Sequence, residues 1–554
     1  MGLTKLISRK PLWVYEQEAQ SSELKPTYGF FSLLAIGIGG TVGSGIFVLC
    51  GTIANTMAGP ATSLAWLIAG FCCAITALAY CEISAMLCTC GSTYAFSYHG
   101  LGEIFAVVAA WLITLEYGVS GAAVARSWGD KVAYWFMQNK WTDCTADNCF
   151  INKLAGTQIN PAACLLSCLV VTVILSGVKI EKLAVNIMTT IKMLLVLFVT
   201  ITGCFYFNSD NLTPFIPGPG EYPDGSTDHD SFMGGMSGIL LGATSAFFGF
   251  IGFDEISCMT GEALRPKRDI PVVILLTIGT LIVLYFAISL VLVGMVPYDK
   301  IDQDEGFGSA FVYVGADWAM QITLVGEILF VLPTVVLVAY LPESRIIYSV
   351  SQDGHLPRIL SRVKPDGTIF NAGLVSGVSM TVIATLVPFK NLNDLISGGI
   401  LLSFIFTNSS LIMIRTKQQG RVPLLTMVIS MLVACLIANK CDVKQTIPLV
   451  FLVIFCTIAI GSLCFMCFKY SFKSTLDTFK VPFVPVVPAL AIAVNWFLLT
   501  QLSFLGMGLI FALVGLALIC YFSYGYSRSA NFDMITDHAQ IDPEIVGEPQ
   551  QKKF

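Results

Sequence analysis

A chain of 554 residues that is 55% hydrophobic and only 12% charged carries more apolar surface than a soluble domain can bury, and its mean hydropathy of +0.76 agrees. The net charge of −5 is spread over loops, with no basic block for nucleic acid or anionic lipid, and the 18 cysteines form no metal-ligand spacing. These features exclude a soluble enzyme and a nucleic-acid binder and leave a polytopic, all-α membrane protein.

Apolar runs that meet the ~20 helical residues needed to cross a hydrocarbon core recur along the whole chain. Fourteen spans are predicted, over 30–55, 61–88, 103–125, 161–176, 183–207, 235–260, 271–296, 317–345, 371–388, 393–414, 422–439, 446–468, 483–500 and 503–524. Closely spaced runs of this length argue for a helical bundle and against a barrel. Residues 1–29 mix Lys5, Arg9, Lys10 and Lys25 with acidic and polar side chains and show no cleavable apolar core. With that end in the cytosol, cytosolic segments hold 22 of the 31 lysines and arginines and outer segments 8, so both termini are expected inside.

In chain order, the first span is broken by glycine and serine in GIGGTVGSGIF, Gly37 to Phe47. Unwinding a helix in the membrane frees backbone N–H groups that need a partner, and a carboxylate suits the positive end of the resumed half-helix. Gly43, Ser44 and Gly45 let a ligand approach the backbone without an intervening side chain. Tight packing through small residues is the other reading of these glycines. Glu82 and Arg126 sit near span ends, where internal pairs are expected. Cys144 and Cys149 fall in one outer loop, where they form a structural disulfide or remain two thiols. Lys192 lies in the middle of VNIMTTIKMLLVLF, where an ammonium is costly and points to function or to permanent pairing with an acid or carbonyls.

Asn211 opens a glycosylation sequon on the predicted outer side, followed by a loop carrying Asp224, Asp228 and Asp230 that reads as a solvated segment. A second break, FFGFIGFDEIS from Phe247 to Ser257, falls five spans after the first. Paired interrupted helices of this kind point to the solute site of a secondary transporter. Carbonyls near Phe248 and Ile251 are expected to accept an ammonium group, and the Phe248 and Phe250 rings to cover it. Asp254 and Glu255 follow at membrane depth, where acids mark a function or an ion pair. RPKRDIP reads as a cytosolic turn with Pro271 opening the next helix. Arg345 and Asp353 are expected in a cytosolic gate or loop. The polar tail after Tyr526 reads as disordered. His99, His229, His355 and His538 all fall in predicted loops or tails, and no GxxxxGK[ST] sequence is present, which argues against a metal-based membrane enzyme and an ATP-driven pump.

These residues resemble the amino acid, polyamine and organocation transporters, in particular the cationic amino acid transporter branch. The resemblance runs through the GSGIF break, YCEISAML around Glu82, GSTYAFSY, Gly102-Glu103, VARSW ending at Trp128, SGVK at Ser176, FFGFIGFD, RPKRDIP, SRIIYSVSQDG, VPFVPVVPALAIAVN and YFSYG at Tyr521 to Gly525. It implies a five-plus-five inverted repeat with broken helices one and six, followed by four additional helices. The implied boundaries are a cytosolic 1–29, a first repeat over 30–207, an outer loop over 208–234, a second repeat over 235–414, four further helices over 415–524 and a tail over 525–554.

The resemblance also implies that Gly43, Ser44 and Gly45 take a substrate carboxylate and that carbonyls near Ile38, Phe248 and Ile251 take its amino group, with Phe248 as the gate. Glu116, Asp254 and Glu255 are the acids available to a cationic side chain. In proton-coupled relatives a lysine at the place of Lys192 stands where others bind sodium, which makes Lys192 the expected coupling residue. The expected function is therefore secondary transport of cationic amino acids, coupled to protons. A neutral or broad-specificity facilitator or exchanger and an amino acid sensor on the same fold are the alternatives. No cofactor, metal or obligate heavy-chain subunit is expected, and the plasma membrane or a lysosome-like membrane is the expected location.

Overall fold

The computed structural model describes all residues except 1–7, 22–23, 44, 139–150, 152–156, 158, 221–231, 304–305, 388, 418, 442–444, 475–477 and 529–554. Cys144, Cys149 and Ser44 therefore lie outside the described residues, as do the loop aspartates at 224, 228 and 230.

The described chain is helical, and each predicted span overlaps a helix. Eleven helical stretches among the described residues are long and apolar enough to cross a membrane, and three shorter apolar helices, Pro161–Leu175, Phe370–Leu386 and Val486–Gln501, occupy further predicted spans. This is an all-α polytopic membrane protein. Three differences from the sequence expectation have simple causes. The helix predicted to open at Pro271 begins at Pro266, whose missing N–H is harmless in the first turn, and it carries Pro271 inside. His99 lies in a short helix, Ser92–Gly100, that contains Tyr94, Phe96 and Tyr98 and is too short to read as a span. His355 is buried in a loop whose neighbours are aromatic rings.

Burial separates a core from a periphery. The helix Pro266–Met295 packs along Thr62–Leu87, and Val178–Phe205 packs against Phe30–Thr41. Small residues such as Ala65, Ala69, Cys73 and Ala77 allow close approach on the buried face of Thr62–Leu87. The helix Thr446–Lys469 buries only Ala459 and Met466 and turns Ile447, Phe451 and Ile460 outward, as a helix solvated by lipid does.

The peripheral helices are tied to the core by a buried ion pair. Arg415 Nε and Nη2 donate to Glu82 Oε1 and Oε2 at 2.6 and 2.7 Å, Arg415 Nη1 donates to Phe472 O at 2.7 Å, and Val481 N donates to Glu82 Oε2 at 2.6 Å. The bidentate fork satisfies both carboxylate oxygens, and the pair holds Phe472 and Val481 to the helix ends. Arg126 donates to the Thr385 carbonyl at 3.1 Å and interacts electrostatically with Asp130.

Candidate substrate site

Both predicted breaks are present, and they touch. The helix Phe30–Thr41 ends where Val42 turns extended (φ −73°, ψ 107°), and helical structure resumes at Gly45. The helix Gly235–Ala246 tightens into a 3-10 turn over Phe247–Phe250, becomes extended at Ile251 and passes through Gly252 at φ +113° before the short helix Glu255–Cys258. A Cβ on Gly45 would stand 2.4 Å from the Gly249 Cα, and one on Gly252 would stand 2.9 Å from the Gly40 carbonyl carbon. The glycines are thus required where two unwound backbones cross. Gly252 also adopts a conformation that L side chains rarely enter. Tyr285 fastens the crossing, its hydroxyl donating to Thr41 O at 3.0 Å and to Gly249 O at 2.9 Å.

A small cavity of about 20 Å3 lies at this crossing, walled by Gly40, Thr41, Gly43, Gly45, Phe248, Ile251 and Glu255, with Ser120, Val335 and Ala339 opposite. It has room for about one water-sized group. Gly43, Gly45, Phe248, Ile251 and Glu255 are therefore brought together. Ile38 is not in the wall, and its carbonyl accepts the Val42 N–H at 3.0 Å. The Phe248 carbonyl accepts the Ile251 N–H at 3.3 Å. Phe248 and Ile251 also line a larger cavity of about 360 Å3 that reaches Gln501 and Ser503, so these two residues form the partition between the two spaces.

Lys192 is fully buried, and its Nζ donates to Gly39 O at 2.6 Å and to Val42 O. The ammonium thus sits on the carbonyl end of Phe30–Thr41, the negative pole of that half-helix. It interacts electrostatically with Glu255, whose carboxyl packs against Gly40 and whose Oε2 has no hydrogen-bond partner.

Glu116 and Asp254 stand together beside the cavity and do not line it. Ser403 Oγ donates to Glu116 Oε2 at 3.0 Å, and Tyr117 OH donates to Asp254 Oδ2. The two carboxyls interact electrostatically, while Glu116 Oε1 and Asp254 Oδ1 lack a donor. Asn211 is half-buried and its Nδ2 donates to Gly294 O at 2.9 Å, so glycosylation requires that bond to open.

The end of the bundle that carries the N-terminal segment is sealed by polar contacts. Arg345 pairs with Glu262 at 2.9 Å and with Glu181 at 3.1 Å, and Tyr28 donates to Glu181. Further along, Lys10 bonds Asp353 at 2.7 Å and Glu18 at 2.6 Å, and Tyr94 donates to Asp353 at 2.7 Å. Burial, the largest single influence, raises the Asp353 carboxyl, but the Lys10 ammonium together with His355 and the Tyr94 hydroxyl outweighs it and holds that carboxyl below the ordinary carboxylate range. Its contribution to the latch is therefore present at neutral pH and lost only as pH falls below ~4, through the depressed folded value. We expect Asp353→Asn to raise amide hydrogen exchange across Leu12–Ser21 at neutral pH; unchanged protection would show that the latch does not hold this helix.

Sequence reasoning missed Tyr285, Tyr117, Ser403 and Thr189, whose hydroxyl donates to Ala35 O at 3.1 Å. Each is one polar residue in an apolar run, a weak signal without the crossing that uses it. Glu343 was also hidden and accepts from Thr114 at 3.1 Å, whereas Glu103, legible as part of the Gly102-Glu103 motif, accepts from Tyr521 at 2.8 Å and Ser8 at 3.0 Å.

The family model described as amino acid permease matches residues 28–505. Among curated relatives, cationic amino acid transporter 4 of Mus musculus is 29% identical over 613 aligned positions, covering 97% of this chain and 93% of the relative. The methylthioribose transporter of Bacillus subtilis is 31% identical over 417 residues, 75% of this chain and 87% of the relative. Cationic amino acid transporter 3, mitochondrial, of Arabidopsis thaliana is 31% identical over 403 residues, 72% of this chain, and the match spans 64% of that relative's own length. With two crossed helix breaks at its centre and this match along most of its length, the chain belongs to the amino acid permease family, within the cationic amino acid transporter branch of the amino acid, polyamine and organocation superfamily.

Proposed function

We propose that this chain is a secondary active transporter of cationic amino acids that couples uptake to protons by alternating access. The observation that carries the reading is the crossing at Gly45 and Gly249, where two unwound helices enclose one small cavity with Glu255 in its wall and Lys192 behind it. In this reading Gly43, Ser44 and Gly45 receive the substrate carboxylate and the carbonyls near Ile38, Phe248 and Ile251 its amino group. Phe248 moves to join the two cavities, and Lys192 exchanges its carbonyl partners for a proton-linked state. The two repeats, 30–207 and 235–414, rock about this site with both termini cytosolic in the plasma membrane.

Of the three acids, Glu255 alone lines the cavity, while Glu116 and Asp254 are engaged with each other. Glu255 is therefore the acid expected to meet a cationic side chain. Glu255→Gln should cut arginine uptake by about tenfold or more while leaving leucine uptake within about twofold, the effect of losing one charge-assisted contact. Equal loss for both substrates would move side-chain recognition elsewhere. The similarity to a protein named methylthioribose transporter supports a second reading, a broad-specificity carrier for neutral solutes. Competition of labelled arginine uptake by leucine, lysine and methylthioribose in proteoliposomes of the purified chain separates the two.

A further inference from the structure

Glu343 lies away from the crossed breaks, on the helix Leu332–Gln352 directly after Pro342. It is 2% exposed. Its Oε1 accepts the Thr114 hydroxyl at 3.1 Å and the carboxyl lies beside the Gly118 N–H, yet Oε2 is buried without a hydrogen-bond partner. That oxygen lacks a donor, and at membrane depth no water is at hand to replace one.

The carboxyl lines a separate cavity of about 400 Å3, in the size range of small-molecule sites. The rest of the wall is largely apolar, including Trp111, Ile346, Ile347 and Val375, with Tyr521 and His355 adding rings. Val375 and Ser379 belong to the outward face of Phe370–Leu386. On that face Val375, Val378, Val382 and Leu386 are 45–55% exposed and follow one another at helical spacing. The cavity mouth is thus continuous with a surface that lipid covers.

We propose that this cavity is a lipid site that holds one neutral lipid alcohol of the sterol class, its hydroxyl donating to Glu343 Oε2 and its rigid apolar body filling the space behind Ile347 and Val375. The lining chemistry selects this class. A bare acyl chain and a phosphodiester group bring no donor and leave Oε2 unmet. A compact body with one donor at its end satisfies both the apolar wall and the unpartnered oxygen.

The test uses the purified full chain in phosphatidylcholine nanodiscs containing a photoactivatable cholesterol analogue, with labelled peptides mapped by mass spectrometry. Labelling is expected on residues 370–386 and 343–350. Cholesterol should compete, and cholesteryl methyl ether, which keeps the body but has no donor, should compete about tenfold less well. Val375→Trp, a change on the lipid-facing surface that fills the mouth without touching the core, should abolish labelling there. Glu343→Gln should weaken competition by cholesterol about tenfold. Labelling spread evenly over the lipid-facing helices, equal competition by the methyl ether, or labelling unchanged in Val375→Trp would each overturn the proposal.

Discussion

Gly45→Ala should reduce amino acid uptake by about a hundredfold while the protein still inserts and folds. The added methyl carbon would sit 2.4 Å from Gly249 Cα and 3.1 Å from Gly249 N, both backbone atoms that cannot swing aside. Carbon–carbon contact needs about 3.5–4.0 Å, so the two breaks must part by about 1 Å or more. A displacement of that size at a positioned site costs roughly a hundredfold in rate. The matched control is Gly279→Ala, where a Cβ meets nothing within 4 Å and the change gains helix propensity. Uptake into proteoliposomes, normalised to reconstituted protein, should be near background for the first and unchanged for the second. Normal uptake by Gly45→Ala would mean that the crossing is packing and not the solute site.

Arg415→Met should lower stability by about 3–5 kcal/mol, the loss expected when one partner of a buried pair is removed and the other is left charged. Glu82 is 2% exposed, and its oxygens take the Arg415 fork and the Val481 N–H. Without the guanidinium, Glu82 keeps one backbone donor in a low-dielectric site, and the Phe472 carbonyl loses its donor as well. Thermal unfolding in detergent should show a large downward shift. Glu82→Gln together with Arg415→Met should recover part of it, because the stranded charge is gone. A shift no larger than that of an exposed lysine substitution would show that the peripheral helices are held by apolar packing alone.

The two breaks were legible because glycine and serine clustered inside an otherwise apolar run serve either to unwind the helix or to pack it closely, and because the second break recurred five spans later. Lys192 was legible for a related reason: one cation in an apolar helix must be satisfied or functional. Its partners, Gly39 O and Val42 O, follow from the first break and were not readable apart from it. Long-range pairs were beyond pattern reading. Lys10 meets Asp353 from 343 residues away, and Arg415 meets Glu82 from 333. Periodicity carries no information on which charged residues the packing of distant helices brings together. For the same reason Glu116 and Asp254 read as independent substrate acids, whereas their carboxyls face each other beside the cavity. Glu343 was hidden because it stands near a predicted span end, where an acid reads as solvated.

The most direct test of proton-coupled transport is uptake of radiolabelled arginine into proteoliposomes of the purified chain, with and without an inward proton gradient, for wild type and Lys192→Ala. In wild type the gradient should drive accumulation, and Lys192→Ala should abolish it. Gradient-insensitive uptake that survives in Lys192→Ala would contradict this mechanism, leaving Lys192 as a structural clamp on the first break and the chain as a facilitator or exchanger.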